Sequence, residues 1–409
     1  MIAISDIYDK LKGDKMIWFV VFLLGICSIL AVYSAVGQEA YVSQGGNTEY
    51  YLLKQFILIS VGFLFMWLSY RFNYMSYSKI APLLMIVAIP MLLFTLGFGS
   101  DINDARRWIR IPLINQSFQT SDFAKLALII YIARSIAKKQ DVIKDFKSAF
   151  VPLIIPVVLV CMLIAPADLS TAGLLFMTCL CMMIIGRVSL KYVILLALIG
   201  VAALSFLVLL GTIFPEVIRL ETWVSRMNEF LFNADGGWQI MQSKIAIANG
   251  ELIGVGPGYS MQRNYLPLAY ADFIYAIICE EYGLIGATFI VMLYITLLYR
   301  CTKMITRCPK TFGSILAIGL CLSIVTQAFA NMAVSVHLLP VTGLTLPLVS
   351  MGGTSILFTC VSLGIILSVS KYVEEYSATE IMEEEQSITE DYTVKPIGER
   401  GRMSYENYY

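Results

Sequence analysis

The sequence predicts an all-α fold: a polytopic integral membrane protein with about ten transmembrane helices and a large extracytoplasmic loop between helices 7 and 8. Three observations carry this. Hydrophobic residues make up 58% of the 409 and charged residues 14%, with a mean hydropathy of +0.76, well above the roughly half-apolar make-up of soluble domains. Apolar runs long enough for a hydrocarbon core, which needs roughly twenty helical residues, recur at 16–37, 51–70, 80–98, 121–137, 150–166, 169–186, 190–214, 272–299, 312–336 and 344–370. Basic residues collect in every second connection: at the N-terminus, at Arg71 and Lys79, from Arg134 to Lys147, at Arg187 and Lys191, and from Arg300 to Lys310. The positive-inside bias then places both termini in the cytoplasm.

Taken in order, residues 1–15 form a cytoplasmic N-terminus. The first run follows Lys10, Lys12 and Lys15 and lacks a small-residue cleavage pattern, so it is expected to be a retained helix rather than a removed signal. The membrane domain covers 16–370. Seven of nine cysteines fall in apolar runs, and Cys301 and Cys308 sit in a basic loop, which argues against a disulfide framework or a zinc site. The loop from 214 to 271 is too long for a simple connector. Within it Ile218, Trp223, Met227 and Phe230 recur at helical spacing with Arg219, Glu221, Arg226 and Glu229 between them, the pattern of an amphipathic helix on a membrane surface. Residues 371–409, rich in Glu, Ser, Thr and Tyr, read as an acidic, disordered cytoplasmic tail. Zero net charge and a single histidine give no footprint for nucleic acid. No internal repeat supports an inverted-repeat transporter.

The densest set of motifs is Gly236-Gly237-Trp238-Gln239, Gln242-Ser243, Gly254-Val255-Gly256-Pro257-Gly258, Tyr265-Leu266-Pro267, Asp272-Phe273-Ile274 and Glu280-Glu281-Tyr282-Gly283. Further blocks are Arg107-Trp108-Ile109, Gln119 with Ser121, Phe123 and Lys125, Asp168-Leu169-Ser170-Thr171, Leu339-Pro340-Val341-Thr342-Gly343, and Ser350 with Gly352-Gly353-Thr354-Ser355. In this order and spacing they resemble the FtsW/RodA/SpoVE (SEDS) family over residues 16 to 370. The region from Gly236 to Gly283 looks most like the FtsW branch. The chain departs from the family where many members read LEYLPEAHTDF: here stands Arg263-Asn264-Tyr265-Leu266-Pro267-Leu268-Ala269-Tyr270-Ala271-Asp272-Phe273. Accessory carboxylate roles therefore do not carry over to Asn264 or Leu268, whereas the aspartate position is kept by Asp272. Thr120 and Asp122 stand in place of the proline and glutamate of QPSE, and Pro166-Ala167 precede Asp168.

The resemblance implies polymerisation of lipid II, in which a sugar 4-hydroxyl attacks an anomeric carbon carrying undecaprenyl pyrophosphate. The leaving group is already a stabilised anion. Inverting displacement needs one base for the hydroxyl proton, and cationic groups or a divalent cation (Mg or Mn) to hold the pyrophosphate. Asp272, at the mouth of the eighth span beside apolar Phe273 and Ile274, is the expected base, and its surroundings are expected to favour the protonated form. The plain alternative is an ordinary helix cap. Lys125, Asp168, Glu280 and Glu281 lie at membrane depth, where ionisable groups are costly unless paired or hydrated. The bland reading makes Lys125 and Asp168 a structural ion pair and Glu281 a backbone anchor.

Arg106, Arg107 and Arg110 stand against the positive-inside trend and suit diphosphate or, equally, lipid headgroups. Lys244 and Arg263 are further candidates for the pyrophosphate. Trp108, Gln239, Ser243 and Ser350 are supporting residues by the resemblance. The glycine run at 254–258 reads as a tight turn, not a nucleotide loop, and His337 as a loop residue. The partners implied are lipid II, a class B penicillin-binding transpeptidase such as FtsI, and other division proteins. The place implied is the cytoplasmic (inner) membrane at the division septum. A RodA-like elongation polymerase, a lipid II flippase or solute transporter, and a noncatalytic scaffold acting through the tail are the competing functions.

Overall fold

In lipid, backbone polar groups must be satisfied within each crossing segment, so apolar runs become helices. The computed structural model describes residues 12–394 apart from 103–104, 112–115, 214–218 and 234. Each of the ten runs holds a helix: α1 (Lys15–Ala35), α3 (Thr48–Arg71), α4 (Tyr74–Phe98), α5 (Thr120–Lys138), α6 (Val151–Ile164), α7 (Leu169–Ile185), α8 (Leu190–Ile213), α11 (Ile274–Ile305), α12 (Thr311–Ser335) and α13 (Thr354–Val394). Three short helices lie between them: α2 (Gly37–Gln44), α9 (Leu220–Phe232) and α10 (Trp238–Gly250). Side chains fix the starts, since Asp14, Asn47 and Asn73 each accept amide hydrogen bonds at the heads of α1, α3 and α4. Among the described residues seven helices (α1, α3, α4, α8, α11, α12, α13) are long and apolar enough to cross a membrane alone. α6 and α7 are shorter, and α5 carries Asp122, Lys125, Arg134 and Lys138. The protein is an all-α multi-pass membrane protein.

Three expectations change. The connection after α4 holds a small antiparallel sheet in the order β1 (Ser100–Ile102), β2 (Ala105–Ile111), β3 (Gln116–Gln119), with Trp108 opposite Gln119. The last span starts at Thr354 rather than 344, because Pro347, Gly352 and Gly353 keep 344–353 out of helix. Residues 371–394, expected to be disordered, extend α13 instead. A helix already nucleated in the membrane propagates readily through Glu, Ala and Met, and Lys12 holds Glu375 at 2.9 Å. Residues 395–409 of the expected tail and 1–11 lie outside the described residues.

α12 is the central helix. Its spanning window is 72% buried, against 17% for α8, and it packs on α11, α5, α7 and α13. α13 runs along α3, while the main neighbours of α8 are α7, α6 and α9. α9 is the amphipathic helix expected from the loop, with Ile218 outside the described residues.

α11 is interrupted at Gly283, which has φ +62°. The segment 251–256 fills the break: Val255 and Gly256 amides donate to the Glu280 and Glu281 carbonyls, and Leu284 and Ile285 amides donate to Glu251 and Leu252. A Cβ on Gly254 would sit 2.2 Å from the Glu281 carbonyl oxygen, and one on Gly283 2.5 Å from the Gly254 nitrogen. The GxGxG and EExG motifs thus meet as a backbone joint. Breaking a helix frees backbone polar groups, and each strand of the joint satisfies those of the other.

Candidate functional site

Asp272 ends the turn that leads into α11. Amides of Ala271 and Asp272 both donate to the Leu268 carbonyl, and Leu268 holds φ +53°, a costly conformation for a branched residue that the surroundings must impose. Those surroundings are visible. Asn331 of α12, 1% exposed, donates from Nδ2 to the Asp272 and Leu344 carbonyls, each at 2.7 Å. Ser350 donates to the Ala271 carbonyl at 2.5 Å and accepts from the Leu346 amide at 2.8 Å. The Met351 amide donates to the Tyr270 carbonyl at 3.0 Å. The turn is therefore clamped between α12 and the 344–353 segment. Phe273 takes the cap position of α11, with no side-chain cap bond, and Asp272 stands one residue before it.

Two cavities meet at this residue. The larger, about 360 Å³, has Asp272, Asp168, Trp108, Lys54, Tyr51 and Glu39 in its walls. The smaller, about 260 Å³, has Asp272, Asp168, Gln239, Arg219 and Arg226. Both are also lined by Leu268 and Gly343, which form the threshold between them. At Gly343, φ +70°, a Cβ would lie 3.8 Å from Asp272 Oδ2, so a larger side chain there would press on the carboxylate. Burial pushes the Tyr270 phenol up to about 12, with nearby Glu39, Tyr51 and Asp272 adding to the effect.

Asp168 is nearly buried and caps α7, accepting from the Thr171 amide at 3.0 Å and the Thr171 hydroxyl at 2.8 Å. The expected alternative, an ion pair with Lys125, is not what forms. Lys125 instead bonds Asp122 at 3.3 Å and Gln327 at 3.0 Å, because Asp122 lies one helical turn before it on the same face. This pair lines a deeper pocket of about 20 Å³, enough for one water. Asp122 and Gln327 also line the larger cavity, so Lys125 touches its wall through them. Among the described residues the buried Asp122 Oδ2 has no hydrogen-bond partner.

Several expected site residues lie elsewhere. Glu281 accepts from the Ser34 hydroxyl of α1, and Arg263 donates to the Ser34 carbonyl at 3.2 Å. Neither lines the two cavities, so both serve as anchors between the loop and α1. Glu280 gathers the 260–262 turn through the Ser260 hydroxyl and the Met261 and Gln262 amides. Ser243 ties α10 to the Ser335 carbonyl at 2.7 Å. Lys244 reaches the Asp235 carbonyl at 3.4 Å, and the basicity of nearby His337 is lowered by that ring's partial burial and, less, by the Lys244 charge. His337 packs edge-on against Phe230. The side chains of Arg106, Arg107 and Arg110 lie outside the described residues.

The residues missed in the sequence are Lys54, Tyr51 and Glu39 in the larger cavity, Arg219 in the smaller, and Asn331 and Gln327 beneath the turn. A signal existed for the last two. Ser323, Gln327, Asn331 and Ser335 recur every four residues along an otherwise apolar span, one polar stripe on one helix face. Lys54 and Glu39 sit alone near a span end, where sequence offers no pattern.

The family model described as cell cycle protein (FtsW/RodA/SpoVE) matches residues 14–375. Among curated relatives, the probable peptidoglycan glycosyltransferase FtsW of Nitrosococcus halophilus is 32% identical over 333 residues, covering 80% of this chain and 84% of its own. The stage V sporulation protein E of Bacillus subtilis is 31% identical over 369 residues, covering 89% and 98%. Among solved structures, one described as structural coordination of polymerization and crosslinking by a peptidoglycan synthase complex has a TM-score of 0.66 at 23% identity, covering 88% of this chain and 98% of that one.

Proposed function

Because the chain belongs to the FtsW/RodA/SpoVE family of cell cycle proteins, we propose that it is a peptidoglycan glycosyltransferase that polymerises lipid II, with Asp272 as the general base. The observation that supports this most is the placement of Asp272: a carboxylate in the shared wall of two adjoining cavities, on a turn held by Asn331 and Ser350. The acceptor sugar's 4-hydroxyl oxygen bonds to the donor's anomeric carbon while its proton passes to Asp272. The bond from that carbon to the pyrophosphate oxygen breaks with inversion, and undecaprenyl pyrophosphate leaves with the electron pair. No acid is needed for such a leaving group, which is why one base suffices where a glycosidase needs two carboxyl groups.

Asp168, fixed by Thr171, keeps a second carboxylate at the same junction. Among the described residues no three His, Cys, Asp or Glu side chains gather into a metal cage. A magnesium or manganese ion would therefore be held by few protein carboxylates, with Asp168 the one at this junction that is not needed as the base. When bound it would neutralise the departing pyrophosphate. The end of the bundle bearing Asp272 faces outward, both termini stay in the cytoplasm, and a class B transpeptidase crosslinks the emerging strand. FtsW-like naming of relatives supports a septal role; an elongation role remains compatible with the same chemistry, and the position of a fluorescent fusion in dividing cells separates the two.

The test is purified protein, with and without its transpeptidase, incubated with lipid II and divalent cation, the glycan separated by length. Polymer from wild type and none from Asp272→Ala is the expected result. Equal polymer from both would move the base elsewhere, and intact lipid II under every condition would favour transport.

A further inference from the structure

Polymerisation brings together two lipid-linked pyrophosphates, and each must be received by positive charge in a region where water is scarce. The two cavities that meet at Asp272 each contain a cation. In the larger it is Lys54, one turn and a half into α3; in the smaller it is Arg219, at the head of α9. Among the described residues neither side chain makes a hydrogen bond or an ion pair within the protein. Arg226, the other described cation here, is already committed to the Val341 carbonyl at 3.1 Å. A cation lining a polar cavity with no protein partner is available to an anionic ligand. Leu268 and Gly343 form the threshold between the cavities, and the base stands on that threshold.

Resting on the reading of the chain as a lipid II polymerase, we propose that the two cavities are separate substrate compartments: Lys54 receives the pyrophosphate of the acceptor and Arg219 that of the donor. Size and chemistry assign the sides. The donor's pyrophosphate is attached to the carbon under attack, so it belongs in the smaller compartment, close to Asp272. The acceptor's reacting hydroxyl is two sugar rings from its pyrophosphate, so that disaccharide must stretch from Asp272 across the larger compartment to Lys54. Apolar surroundings agree on the donor side. Leu169 of the smaller cavity also lines an apolar groove of about 410 Å³ between α6, α7 and α8, walled by Phe176, Leu180 and Leu204, where a polyprenyl chain would lie in hydrocarbon below its pyrophosphate.

The test separates donor from acceptor. Lipid II whose 4-hydroxyl is capped by a galactose can only donate; with this labelled compound and ordinary lipid II, the initial rate of the first capped tetrasaccharide is measured while each substrate is varied in turn. The enzyme is the full chain with its transpeptidase. Lys54→Gln is expected to raise the half-saturating concentration of lipid II as acceptor by about tenfold or more and to leave that of the capped donor within about twofold. Arg219→Gln is expected to do the reverse, and Lys54→Arg to restore most of the loss. Lys54→Met serves as a second variant should Lys54→Gln fail to fold.

If Lys54 only anchors α3 at a lipid surface, neither half-saturating concentration moves, and the proposal fails. It fails equally if each variant raises both values together, or if the two residues exchange roles. A wild-type enzyme that makes no capped tetrasaccharide would instead overturn the polymerase reading itself.

Discussion

The two ends of the helix bundle use similar residues differently. At the end where the N-terminal segment enters, several charges find partners in the protein. Arg300 grips Asp14 at 2.6 Å, Lys12 meets Glu375, the Gly13 amide donates to Glu374, and Lys310 and Lys371 lie over the rings of Tyr372 and Tyr70. Tyr74 closes the layer against Phe312 and Tyr372. At the other end Asn331 and Ser350 spend their hydrogen bonds on main-chain carbonyls of one turn, which holds Asp272 in the wall of two cavities whose linings also carry Asp168, Lys54 and Arg219. Charges that satisfy one another close a structure. Charges that line a cavity are placed to act on a ligand.

The sharpest way to break that comparison is at the base. Asp272→Asn keeps the shape and the main-chain bonds of the turn but cannot accept the proton, so polymerisation should fall by about 10² to 10⁴ with the melting temperature essentially unchanged. A variant that unfolds instead would make Asp272 a structural residue like Asp14.

Next in size is the support. Asn331→Leu removes both bonds to the Asp272 and Leu344 carbonyls, leaving a buried and a part-buried acceptor unmatched, at about 1–3 kcal/mol for the buried one. We expect kcat to fall by roughly tenfold or more, since a small displacement of a reacting group is costly, together with a lower melting temperature. Ser350→Ala should show the same pair of changes more mildly. Loss of stability with unchanged kcat would mean that the turn holds its place without α12.

How much of this could be read from sequence follows the same division. Apolar runs identified ten helices because burial in lipid demands length and composition that few other segments have. The path of 344–353 was not legible, since Leu344, Leu346, Leu348 and Val349 are as apolar as a span, and only tertiary contact shows that the segment folds back over Ala271 and Tyr270. The extension of α13 was hidden because an acidic composition fits both disorder and a helix propagated from its membrane part. At the site Asp272, Asp168, Trp108 and Gln239 came from motifs. Glu281 came from the same motifs and bonds the Ser34 hydroxyl away from the two cavities, because a motif records spacing and not which way a side chain faces. Lys54 had no motif at all.

Third, the opposite end should answer in the contrary sense. Asp14→Asn weakens a charged hydrogen bond to Arg300 whose partners are 11% and 29% exposed, at a cost of about 1.5–3 kcal/mol. The melting temperature should drop while kcat stays within about twofold. A large loss of kcat in this variant would couple the two ends and dissolve the distinction between them.

The smallest expected effect concerns Tyr270, which borders the larger cavity beside Glu39, Tyr51 and Asp272. Burial places its phenol at about 12 in the folded protein, against about 10 in an unfolded chain. Between those values the folded state keeps a proton that the unfolded state has released, so the stabilisation is complete below pH 10 and is lost as pH rises toward 12. Across pH 6 to 9 the phenol stays neutral in both states. It therefore adds no limb to the pH dependence of polymerisation, and Tyr270→Phe should leave the shape of that profile unchanged while flattening the fall of the melting temperature above pH 10. An alkaline limb near pH 9 that disappears in Tyr270→Phe would show that the phenol titrates within the working range. Tyr270 would then stand with Asp272 among the groups facing substrate, rather than with Asn331 and Ser350 among those that hold the wall in place.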